Sequence, residues 1–298
     1  MMSISEIQSH FEEIEKDVAL LDEKNFDQRM EAIDFIEFCI IDQVEMSLQK
    51  TGQPNELILL RHRAGKIKLE LEKINVSLFQ KIRANIRRGE HRGKRFRDLV
   101  DQYVNLHNEQ RSETGYDNLD IFINGLFSLC DMPELTTELQ TEMVYYQKTP
   151  ARIVFEMVEK VHFTSNDIFF DLGSGLGQAA ILVNLLTGAR AIGVEFEPAF
   201  SEYAQNCAGG LNIPVVTFLN VDAREADYSE GTVFFMFTPF IGKMLQEVLE
   251  LLKKESLLRK IKIITYGPCT AMVASQSWLT GTIKRNNDIY KLAFFNSF

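Results

Sequence analysis

The hydrophobic rhythm of the chain changes once, and that change divides it. Ile7, Phe11, Ile14, Val18 and Leu21 step by three and four residues, the spacing of one helix face. A second helical pattern covers 26–49 and carries the apolar cluster Phe35, Ile36, Phe38, Cys39, Ile40 and Ile41. Thr51-Gly-Gln-Pro54 breaks it, and Pro54 suits the first turn of a following helix. Ala64, Ile67, Leu71, Ile74, Leu78 and Ile82 then hold one face of a long helix. Gly89 and Gly93 interrupt that pattern, 96–107 resumes it, and 117–129 adds another helical stretch. The first 140 residues read as an all-α region, a bundle or a cap.

A connector over 130–148 follows, containing Pro133, and Thr149-Pro150 predicts a helix start with Thr149 as N-cap and a helix over 152–161. From there apolar runs alternate with helical patterns. Strands are expected at 168–170, 191–195, 214–219, 232–237 and 261–266, with helices at 178–186, 198–208 and 241–254. Such alternation makes a parallel sheet covered on both faces. The tail differs: 278–283 and 289–295 flank the turn-rich Lys284-Arg-Asn-Asn-Asp288 and read as a hairpin. The expectation is an α/β, Rossmann-like domain over 141–298, mostly parallel with a C-terminal antiparallel hairpin, behind a helical region over 1–140.

The chemistry concentrates at the first strand. Ile168-Phe-Phe170 is followed by Asp171, glycines at 173, 175 and 177, and then a helix beginning at Gln178. A pyrophosphate-binding turn wants G-x-G-x-x-G, but Gln178 and Ala180 stand where its last glycine would fall. An acid beside the turn suits a ligand with an ammonium, a sulfonium and a ribose rather than a phosphate. Asp171-Leu-Gly-Ser-Gly-Leu-Gly177 resembles motif I of the class I S-adenosylmethionine (SAM)-dependent methyltransferases. The resemblance implies that fold, SAM as cofactor, and contacts from Asp171, Gly173, Ser174, Gly175 and Gly177. Ligands in such sheets lie at the carboxyl ends of the strands. Glu195, ending the second strand, is placed to accept from the ribose hydroxyls, and Asp222, after the third, from the adenine amine. A helix cap or a solvated loop charge is the alternative for each.

A narrower resemblance spans 145–240. Tyr146, Thr149, Gln178 and Gly193-Val-Glu195 look like the non-SET histone lysine methyltransferases, the disruptor-of-telomeric-silencing family. It implies that Tyr146, Thr149 and Gln178 are cofactor contacts, with the Tyr–x–x–Thr element folded over the ligand. Lys148 stands where that family has an acid, and Phe237 and Thr238 where it has paired asparagines. Class I enzymes usually present the acceptor after the fourth strand, which makes Thr238 and Phe240 the candidate catalytic positions. Phe235, Phe237, Phe240, Tyr266 and Trp278 could line an aromatic channel, ordinary core packing being the alternative. Cys269 stands after the fifth strand, where RNA cytosine methyltransferases keep a nucleophile; a buried inert thiol is the other reading. The expected reaction is methyl transfer from SAM, with a protein lysine as the favoured acceptor. An RNA or small-molecule methyltransferase, or a non-catalytic SAM-binding protein, are the alternatives.

Composition changes this picture little. At 45% hydrophobic and 25% charged, the chain is ordinary for a globular protein, and no apolar run approaches 18 residues. No leader or membrane span is expected, which favours the cytoplasm. Four scattered cysteines without a C-x-x-C pair, and five scattered histidines, give no metal-ligand spacing. Charge adds one feature. Residues 61–97 hold 13 Lys and Arg against three acids, a local net of +10 on a chain of net charge −10. The segment could face an acidic or nucleic-acid partner, or be a solvated helix face or a surface docked on the acidic body.

Overall fold

The structure is a computed structural model and describes residues 4–44, 55–106, 115–128, 131–281 and 290–298. The chain forms two compact units. One comprises Met1–Arg83, Asp98–Arg111 and Asp117–Leu126; the other comprises Ala84–Arg97, Ser112–Tyr116 and Phe127–Phe298. The division therefore does not fall at residue 140 as expected, because chain that is helical by pattern returns twice to the sheet-bearing unit.

The first unit is helical. It holds α1 (Ile4–Lys16), a 3-10 turn at Val18–Leu21, and α2 (Phe26–Asp34), which continues into a π-helical turn at Phe35–Ile41. It also holds most of α3 (Asn55–Arg87), and α5 (Asn118–Phe127) up to Leu126. Phe26, Phe79 and Phe122 pack edge-to-face at 5.2–5.9 Å, and Tyr103 stacks on Phe122. Arg29 is fully buried beside this cluster. It donates to the carbonyls of Leu20, Asp22 and Glu23 and to Asn75 Oδ1, so the guanidinium substitutes for the water that burial removed. Burial still pushes its pKa down, against the pull of Glu23 and Asp22.

The second unit is built on a seven-stranded sheet. Its strands are β1 (Ile168–Leu172), β2 (Arg190–Glu195), β3 (Val216–Asn220), β4 (Val233–Met236), β5 (Lys262–Thr265), β6 (Leu279–Gly281) and β7 (Ala293–Ser297). The order is β3-β2-β1-β4-β5-β7-β6; β1 to β5 are parallel, and β7 runs antiparallel between β5 and β6. This is the expected class I methyltransferase sheet with its closing antiparallel pair. The Lys284–Asp288 turn expected to join that pair lies outside the described residues.

Helices α6 (Ala151–Val161), α7 (Gln178–Thr187), α8 (Pro198–Gly210) and α9 (Gly242–Ser256) accompany the sheet, with the shorter α10 (Thr270–Ala274); the short helix α4 (Lys94–Asp101) belongs to this unit up to Arg97 and to the helical unit from Asp98. Strand β4 is buried at every position, and Phe170, Phe234, Leu245, Val248 and Leu249 form the centre of one core layer. Helix α6 begins one residue later than its N-cap signal suggested. Pro150 caps it without a side-chain bond, since its ring carries no acceptor, and the Thr149 carbonyl accepts from Gln178 Nε2. Among the described residues no helix is long and apolar enough to cross a membrane.

Candidate functional site

Strand β1 has β2 on one side and β4 on the other, so the chain winds outwards in both directions from it. A crevice opens at such a switch point, beyond the carboxyl ends of the strands. Here a cleft lies at that place, with about 1030 Å³ of empty space when its open mouth is included.

Its floor comes from the glycine turn. Gly173 and Ser174 both donate to the Val194 carbonyl, and Gly175 donates to Glu195 Oε2 at 2.7 Å. Gly175 has φ +52°, and a Cβ there would lie 2.1 Å from the Tyr146 ring. Only glycine meets both demands. Tyr146 thus lies against the turn, packed edge-on to Phe200 at 5.2 Å, and burial pushes its phenol well above the ordinary range.

Asp171 is buried at the base of the cleft. Burial pushes its carboxyl up to about 7; the Glu195 charge adds to this, and the Ala180 amide opposes it. Burial also raises Glu195, against the amides of Glu197, Gly175 and Phe196. Two acids facing one cleft, both short of cationic partners there, describe a site that would gain from a bound cation. Gln178 donates from Nε2 to the Thr149 carbonyl at 2.7 Å, which leaves its Oε1 buried without a partner. Ser174 Oγ is in the same condition. Both residues line the cleft, and a buried orphan polar atom at a cleft wall is what a polar ligand would satisfy.

The third acid behaves differently. Asp222 lines the cleft, but its carboxylate is gripped by the Arg224 guanidinium at 2.6 and 3.0 Å and by the Arg224 amide. Arg224 holds it below the usual carboxylate range. The expected acceptor for an adenine amine is thus already engaged by an arginine two residues on.

The front wall is a segment that the sequence offered as a connector, apart from Tyr146 and Thr149 near its end. Thr136 donates its amide and hydroxyl, and Thr137 its amide, to the buried carboxylate of Glu197. Gln140 binds Arg224, and Glu142 accepts the amides of Lys243 and Met244 at the start of α9. Met143 bridges to Phe240, and Val144 donates to the Pro239 carbonyl. The 131–149 segment is therefore a strap stitched across the cleft. Burial alone would raise the Glu197 carboxyl, but the Thr136 hydroxyl and the amides of Thr136, Ala199 and Thr137 bring it below its ordinary value. Two signals pointed here: a connector this long with no regular structure is uncommon, and an acid preceding Pro198 marks a cap.

The side beyond β4 is uncharged. Phe237, Thr238, Pro239 and Phe240 line the cleft there, and Phe237 packs edge-on against Tyr266 at 4.8 Å. The expected channel contracts to this wall. Phe235 is fully buried and stacks on Phe169, and Trp278 packs against the core. As candidate catalytic groups, Thr238 and Phe240 are corrected by their surroundings. The Thr238 hydroxyl bonds the Tyr266 carbonyl and the Cys269 amide, and Phe240 joins the core cluster, so neither presents an acid or base. Cys269 is buried and its thiol is pushed up by burial, opposite to what a nucleophile needs.

The basic segment is largely engaged within the chain. Arg63, Lys68 and Lys81 pair with Glu15, Glu37 and Glu23. Arg87 donates to the Gly210 carbonyl, Arg92 to Asn184 and the Asn212 carbonyl, and Arg97 pairs with Glu159. Among the described residues no cluster of His, Cys, Asp and Glu could hold a metal ion.

Residues 136–257 match the family described as histone methylation protein DOT1, a match running from the strap through β4 to the end of α9. No curated protein matches the chain. Among solved structures, an RNA methyltransferase from Salinibacter ruber in complex with S-adenosyl-L-homocysteine is similar at 21% identity and TM-score 0.40, over 51% of this chain and 92% of that one. A precorrin-6y C5,15-methyltransferase from Geobacter metallireducens is similar at 14% identity and TM-score 0.39, over 52% and 92%. A human methyltransferase 10 domain containing protein shares 13% identity at TM-score 0.37, over 55% and 88%. The strand order, rather than these likenesses, carries the fold.

Proposed function

We propose that this chain, a class I SAM-dependent methyltransferase, methylates a protein amine, with a lysine side chain as the acceptor. The observation that carries the reading is the division of charge across β1. The cleft's acids stand at the ends of β1, β2 and β3, whereas the Phe237–Phe240 wall after β4 has no charge. The match of 136–257 to a histone methylation family supports the choice of acceptor.

In this reading Asp171 and Glu195 face the donor. Asp171 receives the ammonium, which favours its ionised form. Glu195 holds the glycine turn with its carboxylate and keeps lone pairs for the ribose hydroxyls. Ser174 Oγ and Gln178 Oε1 gain the partners they lack, Gly173 brings bare backbone to the cleft, Gly177 lets the turn pack on Phe218, and Tyr146 closes over the ligand. The Thr149 carbonyl orients Gln178 rather than touching the donor. Asp222 contributes as an ion-paired edge of the adenine end. Bound SAM supplies a methyl group already activated on a sulfonium. The protein's part is alignment and exclusion of water, which in favourable systems contributes roughly 7–11 kcal/mol. The apolar wall disfavours a charged acceptor amine, so it lowers the amine's pKa and helps it arrive as the free base.

Purified protein incubated with methyl-labelled SAM and separate protein, RNA and metabolite pools tests the reading. Label in acid-stable methyl-lysine supports it. Label confined to RNA or to small molecules, or SAM binding without transfer to any pool, overturns it.

A further inference from the structure

Four non-glycine residues among those described have positive φ: Glu142, His162, Asn212 and Thr238. Thr238, at φ +41°, is the β-branched one, a residue type that sterically resists this region. Such a conformation persists only where the surroundings over-determine it, and it concentrates at functional sites. The surroundings here are specific. Thr238 is buried, its hydroxyl donates to the Tyr266 carbonyl at 3.2 Å, and it accepts the Cys269 amide at 3.1 Å. Gly267 sits so close that a Cβ there would lie 2.7 Å from Thr238 Oγ1.

This one hydroxyl therefore joins the loop after β4 to the loop after β5. On either side of it stand the two pieces of the uncharged wall. Phe237 is braced on Tyr266, and Pro239 lies so near the glycine turn that a Cβ at Gly173 would be 2.2 Å from its Cβ. A shift of the backbone at Thr238 would move both together.

We infer that Thr238 is a positioning residue for methyl transfer: its hydroxyl locks the Phe237–Phe240 wall against the methyl-bearing end of the donor site. The inference rests on the SAM-dependent reading, and its test separates the two. S-adenosylhomocysteine reports the donor site alone. Sinefungin carries an amine where the donor carries its methyl, so the ratio of the two affinities reports the wall. Both are measured by calorimetry on the wild-type protein, T238S, T238V and T238G, with thermal melting alongside.

The expected result is a wild-type ratio in T238S, which keeps the hydroxyl. T238V and T238G should each lose sinefungin affinity relative to S-adenosylhomocysteine by about fivefold, the scale of a lost hydrogen bond. T238G relieves the backbone strain, so a loss there is assigned to the hydroxyl and not to misfolding of a crowded valine. An unchanged ratio in both variants, or an equal loss of both ligands, overturns the inference. A wild-type protein that binds neither analogue overturns the donor reading instead.

Discussion

Glu195 Oε2 accepts the Gly175 amide at 2.7 Å, so the acid that ends the second strand fixes the glycine turn that follows the first. Its Oε1 accepts the Glu197 amide two residues on. One carboxylate thereby sets both the floor of the cleft and the start of α8. Glu195→Ala should weaken S-adenosylhomocysteine binding by at least about tenfold, because a charge-assisted bond and the turn's conformation go together. Glu195→Gln, which keeps one acceptor oxygen, should lose less. Calorimetry on both variants checks the order.

The Tyr146 ring and the Gly175 turn exclude any side chain at position 175. Gly175→Ala is expected to abolish measurable SAM binding, since it must displace the ring and also strain a positive φ. Tyr146→Ala in the same background should restore part of the binding, which a purely local backbone effect would not allow. Equilibrium dialysis of the single and double variants measures this coupling.

Asp171 supplies a pH dependence. Its folded value of about 7 lies above the unfolded carboxylate range, so the folded protein holds a proton that the unfolded chain releases. Stability from this group is therefore present at acid pH and declines as pH rises through that window to about 7. Binding of a cationic donor runs the other way. It favours the ionised form, so affinity should rise with pH up to about 7, with proton uptake into buffer. Asp171→Asn should flatten both profiles and weaken binding throughout; titration in buffers of different ionisation heat reads the proton count.

Glu197 holds the strap through Thr136 and Thr137. Its folded value lies below the unfolded one, so the stability it contributes is present above the ordinary glutamate range and is lost as pH falls below it. Glu197→Ala should cost about 2–3 kcal/mol by the loss of charge-assisted bonds and expose 131–149 to protease ahead of the rest of the chain. Limited proteolysis with mass spectrometry locates the cut. A first cut elsewhere would show that the strap is held by its other stitches.

Arg29 is a structural group of the same severity. Arg29→Ala leaves the buried Leu20 carbonyl, the partly buried carbonyls of Asp22 and Glu23, and Asn75 without their donor and should destabilise the helical unit by about 3 kcal/mol. Arg29→Lys should recover little, because one ammonium cannot reproduce the fork. Urea unfolding followed by circular dichroism gives both values.

Much of this fold was legible because its signals are local. The apolar runs expected as strands at 168–170 and 232–237 lie in β1 and around β4, and Pro198 announced a helix that begins there. The glycine turn was legible because glycine leaves an unmistakable pattern. What escaped depended on long-range partners. Nothing near Asp222 in the pattern said that Arg224 would claim its carboxylate, since a charge two residues away can point anywhere. The strap looked like a connector because its hydrogen bonds run to Glu197, Arg224 and α9, all distant in sequence. The basic segment 61–97 read equally as a partner surface or as one engaged within the chain, and its pattern did not say that Arg87 and Arg92 would donate to oxygens near the ends of α7 and α8. Thr238 drew attention for its place after β4, but its backbone strain is invisible in composition.

Each glycine of the turn is faced by a different part of the chain. A Cβ at Gly173 would meet Pro239, one at Gly175 would meet Tyr146, and one at Gly177 would meet Phe218 on β3. The uncharged wall, the Tyr146 cover and the edge of the sheet all take their position from the same five residues. The turn thus works as a gauge block: any enlargement of it displaces three walls at once, whether or not a ligand is bound. Variation that tunes the acceptor is expected at Phe237 and Phe240, where one wall can change without moving the other two.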